Sequence, residues 1–204
     1  MTGIGLLGTP WGRLGGSGAI KGDQGRSRAI KGAIIGWRRD VDGVREMIDF
    51  TSNGRRFNYR VAGVAIHDEH VLLHCMDDTP YWILPGGRVE FGETSCDALQ
   101  REMQEELGQT IQVGRLLWIV ESFLVDARQR VHGIGLYYAM DLDPSAATHT
   151  PFEVIDGGAR LLFAWHPLAR LDALVVYPPF LRQHLLSLPE HTMHILDVRA
   201  QTLS

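Results

Sequence analysis

The chain has 204 residues, of which 45% are hydrophobic, with 20 Lys and Arg against 24 Asp and Glu. This length predicts one domain with room for an appendage, and the apolar fraction excludes wholesale disorder. The net charge of −4 argues against a general nucleic-acid-binding protein. The sequence also lacks any uncharged apolar run of about 18 residues, so we expect no membrane span.

The two cysteines, Cys75 and Cys96, are too few for a disulfide framework and too far apart for a CxxC site. The N-terminus lacks the compact apolar run and the small-residue cleavage site of a secretory signal. We therefore expect two reduced thiols in a cytoplasmic protein.

Residues 1–46 differ in composition from the rest of the chain. They contain 12 of the 23 glycines and carry a net charge of +4, whereas the other 158 residues carry −8 and contain no lysine. This contrast predicts a glycine-rich, basic, flexible N-terminal extension followed by a domain at residues 47–204. Two interpretations of the extension stay open: a basic arm for an acidic partner, or a segment without a partner, such as translated sequence upstream of a true start at Met47.

Apolar and β-branched runs predict the strands of the domain. The first two runs flank Asp68-Glu69 and predict a hairpin, residues 143–160 are expected to form a loop, and residues 179–188 a closing helix. Strands before and after one central helix indicate an α/β (α+β) fold with a mixed sheet. The predicted strands are residues 59–66, 71–76, 81–84, 111–125, 131–140 and 161–165.

The central helix has the clearest boundaries in the sequence. Thr94 is its predicted N-cap, Asp97 the capping-box partner, and Gly108 follows the last turn. A helical wheel at 100° per residue gives one buried stripe. Its members are Cys96, Leu99, Met103 and Leu107.

Three glutamates, Glu102, Glu105 and Glu106, occupy the adjoining face of this helix at i, i+3 and i+4. On the same wheel Arg101 projects away from the centre of the cluster, so no basic residue inside it offsets the repulsion. A divalent cation such as Mg²⁺ or Mn²⁺, which prefers hard oxygen ligands, relieves such a cluster. The alternative is an ordinary solvated acidic face.

The segment before the helix favours the metal site. It has the sequence PGGRVEFGE from Pro85 to Glu93. Paired glycines let the backbone approach a metal or a phosphate without an intervening Cβ, and Glu93 lies at the positive end of the helix dipole. Together, the glycine turn, the helix start and the three acids predict a metal–phosphate site.

The spacing of these residues resembles the Nudix box, GX5EX7REUXEEXGU, in which U is a bulky aliphatic residue. Gly87 is followed after five residues by Glu93 and after seven more by REMQEELG at residues 101–108. Every fixed letter is met, and the one departure is Gln109 at the final U. The resemblance extends over about residues 58 to 189 and implies a Nudix-type α/β/α sandwich.

The resemblance implies a pyrophosphohydrolase that cleaves a nucleoside diphosphate linked to another group, by water attack on phosphorus. The substrate would be a small molecule: a (d)NTP, an oxidised nucleotide, or a nucleotide sugar or ADP-ribose. Mg²⁺, or Mn²⁺ in its place, would be held by Glu102, Glu105, Glu106 and the carbonyl of Gly86.

The same resemblance implies roles for two arginines. Arg101 would orient the glutamates by pairing with Glu93. Arg88 would meet a substrate phosphate, with a solvated loop arginine as the equal alternative.

The general base stays open between Glu102 and an acid of the 143–160 loop, for which Glu153 and Asp156 are available. Many relatives carry a glutamate on the strand where this chain has Gly133, which weakens any assignment of an acid there.

The specificity signatures of known subgroups are absent downstream of the box, so the sequence leaves the substrate open. The rival function is a Nudix-fold nucleotide sensor that binds without hydrolysis, although such proteins typically lose box glutamates. Membrane and nucleic-acid polymers are not expected as partners. A homodimer is compatible with the family.

Overall fold

The structure, a computed structural model, describes residues 46–77, 79–125, 130–143, 150–156 and 158–200. Apart from Glu46, the predicted N-terminal extension lies outside the described residues. Among the helices of the described ranges, none has the length and apolar character needed to cross a membrane.

Most of the described chain is strand. The strands are β1 (Asp49–Ser52), β2 (Arg55–Val64), β3 (Ile66–His67), β4 (His70–Met76), β5 (Trp82–Ile83), β6 (Gln112–Val125), β7 (Arg130–Asp141), β8 (Phe152–Asp156), β9 (Ala159–Pro167), β10 (Val176–Tyr177) and β11 (Met193–Ala200). The helices are α1 (Ser95–Leu107), a 3₁₀ helix (Leu168–Ala173) and α2 (Leu181–His184).

The strands form two mixed sheets. The first has the order β1-β2-β7-β6-β11, with parallel pairing of β2 with β7 and of β6 with β11. The second has the order β10-β5-β4-β9-β8, and β3 pairs with β4. The predicted mixed α+β fold is therefore confirmed, with two mixed sheets and few helices.

Helix α1 has the predicted ends. The Thr94 hydroxyl accepts a hydrogen bond from the Asp97 amide at 3.1 Å and donates one to the Asp97 carboxylate at 2.7 Å. Gly108 ends the helix with φ 64°, a left-handed conformation that suits glycine, and its amide bonds to the carbonyl of Gln104. These local contacts fix the residues at which the acidic face of the helix starts and stops.

Two apolar clusters form the core. Helix α1 buries Leu99 and Met103 against the first cluster, which includes Val61. Val64 belongs to the second cluster, around Trp118. Because residues 61 and 64 point to opposite faces of a strand, the clusters lie on either side of β2.

The structure corrects several of the predicted elements. The 143–160 region, expected to be a loop, contains strand β8. The closing helix is four residues long rather than the ten predicted at 179–188. Only Ile66-His67 at the end of the first apolar run pairs with β4, since β2 pairs with β1 and β7. The final strand, β11, was not predicted. Its exposed residues Leu196 and Val198 are apolar, and the half-buried residues that alternate with them are polar, which is the reverse of an ordinary strand.

Candidate active site

The glycine-rich segment before helix α1 lies along strand β2. The carbonyl of Gly87 accepts from the amide of Val61 at 2.9 Å, and that of Pro85 accepts from Gly63 at 2.9 Å. Gly86, between them, has φ 138°, and a Cβ there would overlap the Val61 carbonyl oxygen. Only glycine fits this close approach of two backbones.

The neighbouring glycine makes room for a helix carboxylate. A Cβ at Gly87 would overlap the side-chain carboxylate of Glu102. Glu102 therefore lies directly on the glycine backbone, and the spacing of Gly87 and Glu102 in the sequence reflects this contact. The structure brings the turn and the helix acids into one site.

Arg101 lies inside the acid cluster, not away from it as the helical wheel predicted. Its guanidinium donates two hydrogen bonds to Glu93, at 2.8 and 3.1 Å, and one each to Glu102 at 2.9 Å and Glu105 at 3.1 Å. A fifth reaches the carbonyl of Arg88 at 2.9 Å. The wheel fails because it follows Cβ directions, whereas the long arginine side chain bends back over its own helix turn. The Arg101–Glu93 pair that the family resemblance implied is present.

Burial opposes the positive charge of Arg101, but the hydrogen bonds to Glu93 and Glu102 outweigh it, so the pKa of Arg101 is raised. Burial also raises the pKa of Glu102 in spite of its bond to Arg101. The guanidinium thus ties three carboxylates and the glycine-rich segment into one polar network.

Glu106 is the most buried acid of the site, with 5% of the residue exposed. It accepts a hydrogen bond from the backbone of Gly86, but its Oε2 atom is buried without a partner in the described residues. Burial raises its pKa to about 8, and the nearby charges of Glu102 and Asp156 add to that rise. A buried carboxylate oxygen without a donor is unstable as an anion unless a cation approaches it.

No group of three or more His, Cys, Asp or Glu side chains is arranged to hold a metal ion across the described ranges. In this conformation the carboxylates of Glu102 and Glu105 face Arg101. The predicted magnesium site therefore stays a prediction, and of its predicted ligands Glu102 and Glu105 belong to the Arg101 network.

Arg88 follows the two glycines and pairs with Asp49, from Nε to Oδ2 at 2.6 Å. Burial lowers the pKa of Arg88, while Asp49 opposes that effect. The Arg88 side chain is therefore held by Asp49 at the margin of the site, and it is not a freely solvated loop arginine.

The two loop acids considered as the general base lie on strand β8. Asp156 is close enough to Glu106 to act on its titration. Glu153 instead forms an ion pair with Arg160 at 3.5 Å on the surface, where 55% of its side chain is exposed. Of the two, only Asp156 is coupled to the acid cluster.

Sequence reasoning missed Arg60, which lies on β2 directly opposite Arg88. Its charge acts on Glu102 and Glu106 and favours their ionised forms. One signal was available: an arginine in the middle of an apolar strand run.

Comparison with known proteins places the chain in a family. The NUDIX domain family matches residues 57–184, which is more than half of the chain. The chain therefore belongs to the Nudix family, as the spacing of its glycines and glutamates indicated.

A 35% identical stretch of 85 residues is shared with the ADP-ribose pyrophosphatase of Methanocaldococcus jannaschii. It covers 40% of this chain and 49% of that protein, so it spans about half the length of the relative. Among solved structures, the mutator MutT protein of Bacillus halodurans matches with a TM-score of 0.52 at 16% identity. That match covers 71% of this chain and 91% of the other, and it supports the fold.

Proposed function

We propose that the protein is a divalent-cation-dependent Nudix pyrophosphohydrolase, which cleaves a nucleoside diphosphate linked to another group by water attack on phosphorus. The observation that carries this proposal is Glu106, a buried carboxylate with one unpartnered oxygen and a pKa raised to about 8. Such a group beside Glu102 favours the approach of a cation.

The donor set fits Mg²⁺, or Mn²⁺ in its place. Glu102, Glu105, Glu106 and the carbonyl of Gly86 are hard oxygen ligands, and Mg²⁺ is typically bound by a few carboxylates with waters and phosphate oxygens completing the shell. When bound, the cation would neutralise the diphosphate and lower the pKa of a coordinated water.

The chain's own residues supply position and charge. Arg101 holds Glu93, Glu102 and Glu105 in fixed orientations through its planar guanidinium, so it is a positioning residue. Arg88 lies at the margin of the site, where a phosphate would replace part of the interaction with Asp49.

The general base remains a choice between Glu102 and Asp156. Glu102 belongs to the network, and burial raises its pKa above the ordinary value of a glutamate, which favours proton uptake. Asp156 is exposed on β8 and coupled to Glu106. The exposed ion pair of Glu153 with Arg160 disfavours Glu153.

The substrate class is a nucleoside diphosphate derivative, and ADP-ribose is the first compound to test because the relative from M. jannaschii is named an ADP-ribose pyrophosphatase. The rival function, nucleotide binding without hydrolysis, is disfavoured because all the glutamates of the box are present.

The test is a hydrolysis panel with Mg²⁺, containing (d)NTPs, 8-oxo-dGTP, ADP-ribose, NADH, nucleotide sugars and dinucleoside polyphosphates, followed by product chromatography. We expect Glu106→Gln to lower kcat at least about 100-fold, because one metal ligand loses its charge. Glu190→Gln, at an exposed position, is the matched control. Silence of the wild-type protein across the panel would shift the assignment to the sensor function.

A further inference from the structure

One side of the first sheet carries a row of aromatic and apolar residues away from the acid cluster. Residues directly opposite one another on neighbouring strands point to the same side of a sheet. By the strand register, this row crosses all five strands, a width of about 19 Å at the usual strand spacing. Its members are Phe50 on β1, Phe57 on β2, His132 on β7, Phe123 on β6 and Val198 on β11.

The four rings of this row touch one after another. The ring centroids of Phe50 and Phe57 lie 5.5 Å apart, and those of Phe57 and His132 lie 5.7 Å apart. The rings of His132 and Phe123 are stacked at 4.5 Å. Because each ring is already held by its neighbours, these side chains lose little conformational entropy when a partner covers them.

The row is exposed to solvent. The exposed fraction is 56% for Phe50, 37% for Phe123 and 71% for Val198. Val125 on β6 and Leu196 on β11 lie two residues away on the same strands, point to the same side and are also exposed. An exposed apolar surface that crosses several strands marks an interaction site. We call this surface the aromatic face: Phe50, Phe57, His132, Phe123, Val125, Leu196 and Val198.

Helix α1 covers this side of the sheet only further along the strands. Val61 points to the same side of β2 as Phe57, four residues away, and packs in one core cluster with Leu99 of the helix. Among the described residues, no member of the aromatic face belongs to either core cluster. The folded chain therefore buries the middle of this side of the sheet and leaves one end of it uncovered.

Charged residues flank the aromatic face on two sides. Arg55 and Arg130 lie opposite one another on β2 and β7, beside the row at the end of the sheet where β6 and β7 turn. Both are exposed, and neither forms an ion pair with another described residue. On the other side of the row lies Glu121 on β6, with Oε2 at 3.1 Å from His194 and Oε1 at 3.7 Å from His132. The row thus runs between a basic margin and an acidic one.

We propose that the aromatic face binds the same face of a second copy of the chain, with the two sheets face to face and a two-fold axis along the row. This rotation reverses the strand direction, so the basic margin of each copy lies over the acidic margin of the other. Arg130 of one copy then faces Glu121 of the second copy, and this pair occurs twice. The inference goes beyond the proposed function and does not depend on it.

The charges and the size of the aromatic face favour a second copy as the partner. A face flanked by charges of one sign would repel its own copy, whereas opposite margins attract when the copies are rotated. Packed sheets lie about 10 Å apart, a gap that side chains of this size fill. Three rows of residues span about 19 by 13 Å, which is smaller than the roughly 800 Å² that each subunit of a standard interface buries. We therefore expect a reversible dimer with a Kd in the micromolar range.

The test measures the oligomeric state of the full chain by sedimentation velocity at about 1 to 500 µM, a range that brackets a micromolar Kd. We expect the wild-type protein to change from monomer to dimer across it. Val198→Glu places two like charges against each other at the axis and should raise Kd at least about tenfold. Ile155→Glu, on β8 with 69% exposure, is the matched control and should dimerise like the wild type. A monomeric wild-type protein at every concentration, or equal effects of the two variants, would overturn the inference.

A charge exchange tests the orientation of the two copies. Arg130→Glu and Glu121→Arg each place like charges opposite one another twice, so each variant alone should dimerise about tenfold more weakly than the wild type. In an equal mixture of the two variants, both contacts join opposite charges, and the heterodimer should form within about threefold of the wild-type Kd. A variant that had merely lost its fold could not be rescued by mixing. A mixture as weak as its components, or assemblies larger than a dimer, would contradict the two-fold arrangement.

Discussion

The acid cluster is built differently from the row of residues that crosses the first sheet at Asn58, Gly133, Ser122 and Asp197. All residues of the cluster lie between Gly86 and Glu106, and they meet through one turn and one helix. The row draws on four strands, and its residues meet only through strand register. The first region therefore has fixed spacings in the sequence, whereas the second has none.

This difference bears on how each region is built from the sequence. The contiguous region holds the groups that would bind a cation, and its geometry follows from helix periodicity. The dispersed region is held together by strand register, and its strand β2 also packs against helix α1 and the glycine-rich segment. A fold built in this way can keep one reaction while its substrate varies.

The largest expected effect comes from a substitution that disrupts the acid cluster alone. Arg101→Lys keeps the positive charge but removes the planar fork that joins Glu93, Glu102 and Glu105. We expect kcat to fall about tenfold to a hundredfold and the Mg²⁺ concentration for half-maximal activity to rise.

The measurement is a Mg²⁺ titration of the activity of the wild-type protein and of Arg101→Lys. Arg182→Lys, away from the cluster, is the matched control. Unchanged metal dependence in Arg101→Lys would mean that the guanidinium does not position the ligands.

The sequence predicted the contiguous region well because each of its contacts spans few residues. The Thr94 cap, the Gly108 stop and the Gly87–Glu102 contact are local, and spacing reveals them. The burial of Glu106 could not be predicted from the sequence, since it depends on how the second sheet packs beside the helix. The position of Arg101 was also wrong, because a wheel does not describe how far a flexible side chain reaches.

The dispersed region was hidden for a different reason. Register between β6 and β11 is a pairing of residues more than 70 positions apart, and no local pattern encodes it. Strand β11 itself alternates exposed Leu196 and Val198 with Asp197 and Arg199, so it lacks the apolar inner face of an ordinary strand. Gly133 was noticed only as a missing acid, although its lack of a side chain leaves room for the amide of Asn58.

An intermediate effect tests how pH acts on the core outside both regions. His74 is buried on β4, and burial, aided by the charge of Arg60, lowers its pKa from 6.5 to about 4. Between these pH values the unfolded chain binds a proton that the folded chain does not. Stability is therefore lost as the pH falls from 6.5 to 4, by up to about 3 kcal/mol.

We expect His74→Leu to flatten this part of the pH dependence, as measured by urea unfolding at several pH values. His191→Leu, at an exposed position, should leave the pH dependence as in the wild type. An equally steep loss of stability in His74→Leu would assign the acid sensitivity to other groups, with the carboxylates paired to Arg56 and Arg101 as the first to examine.

The smallest expected effect concerns the N-terminal extension. Glu46 accepts a backbone hydrogen bond from Phe91, and Ile48 donates one to Val89, so the chain is tied to the glycine-rich segment from residue 46 onward. Deletion of residues 1–45 should leave the melting temperature within a few degrees, because their composition favours little burial. Deletion of residues 1–50 also removes Asp49, which pairs with Arg56 and Arg88. This longer deletion should lower the melting temperature more than deletion of residues 1–45. Calorimetry of the two truncated proteins is the measurement. A large drop in melting temperature after deletion of residues 1–45 would mean that the extension packs on the domain or on a second copy of the chain.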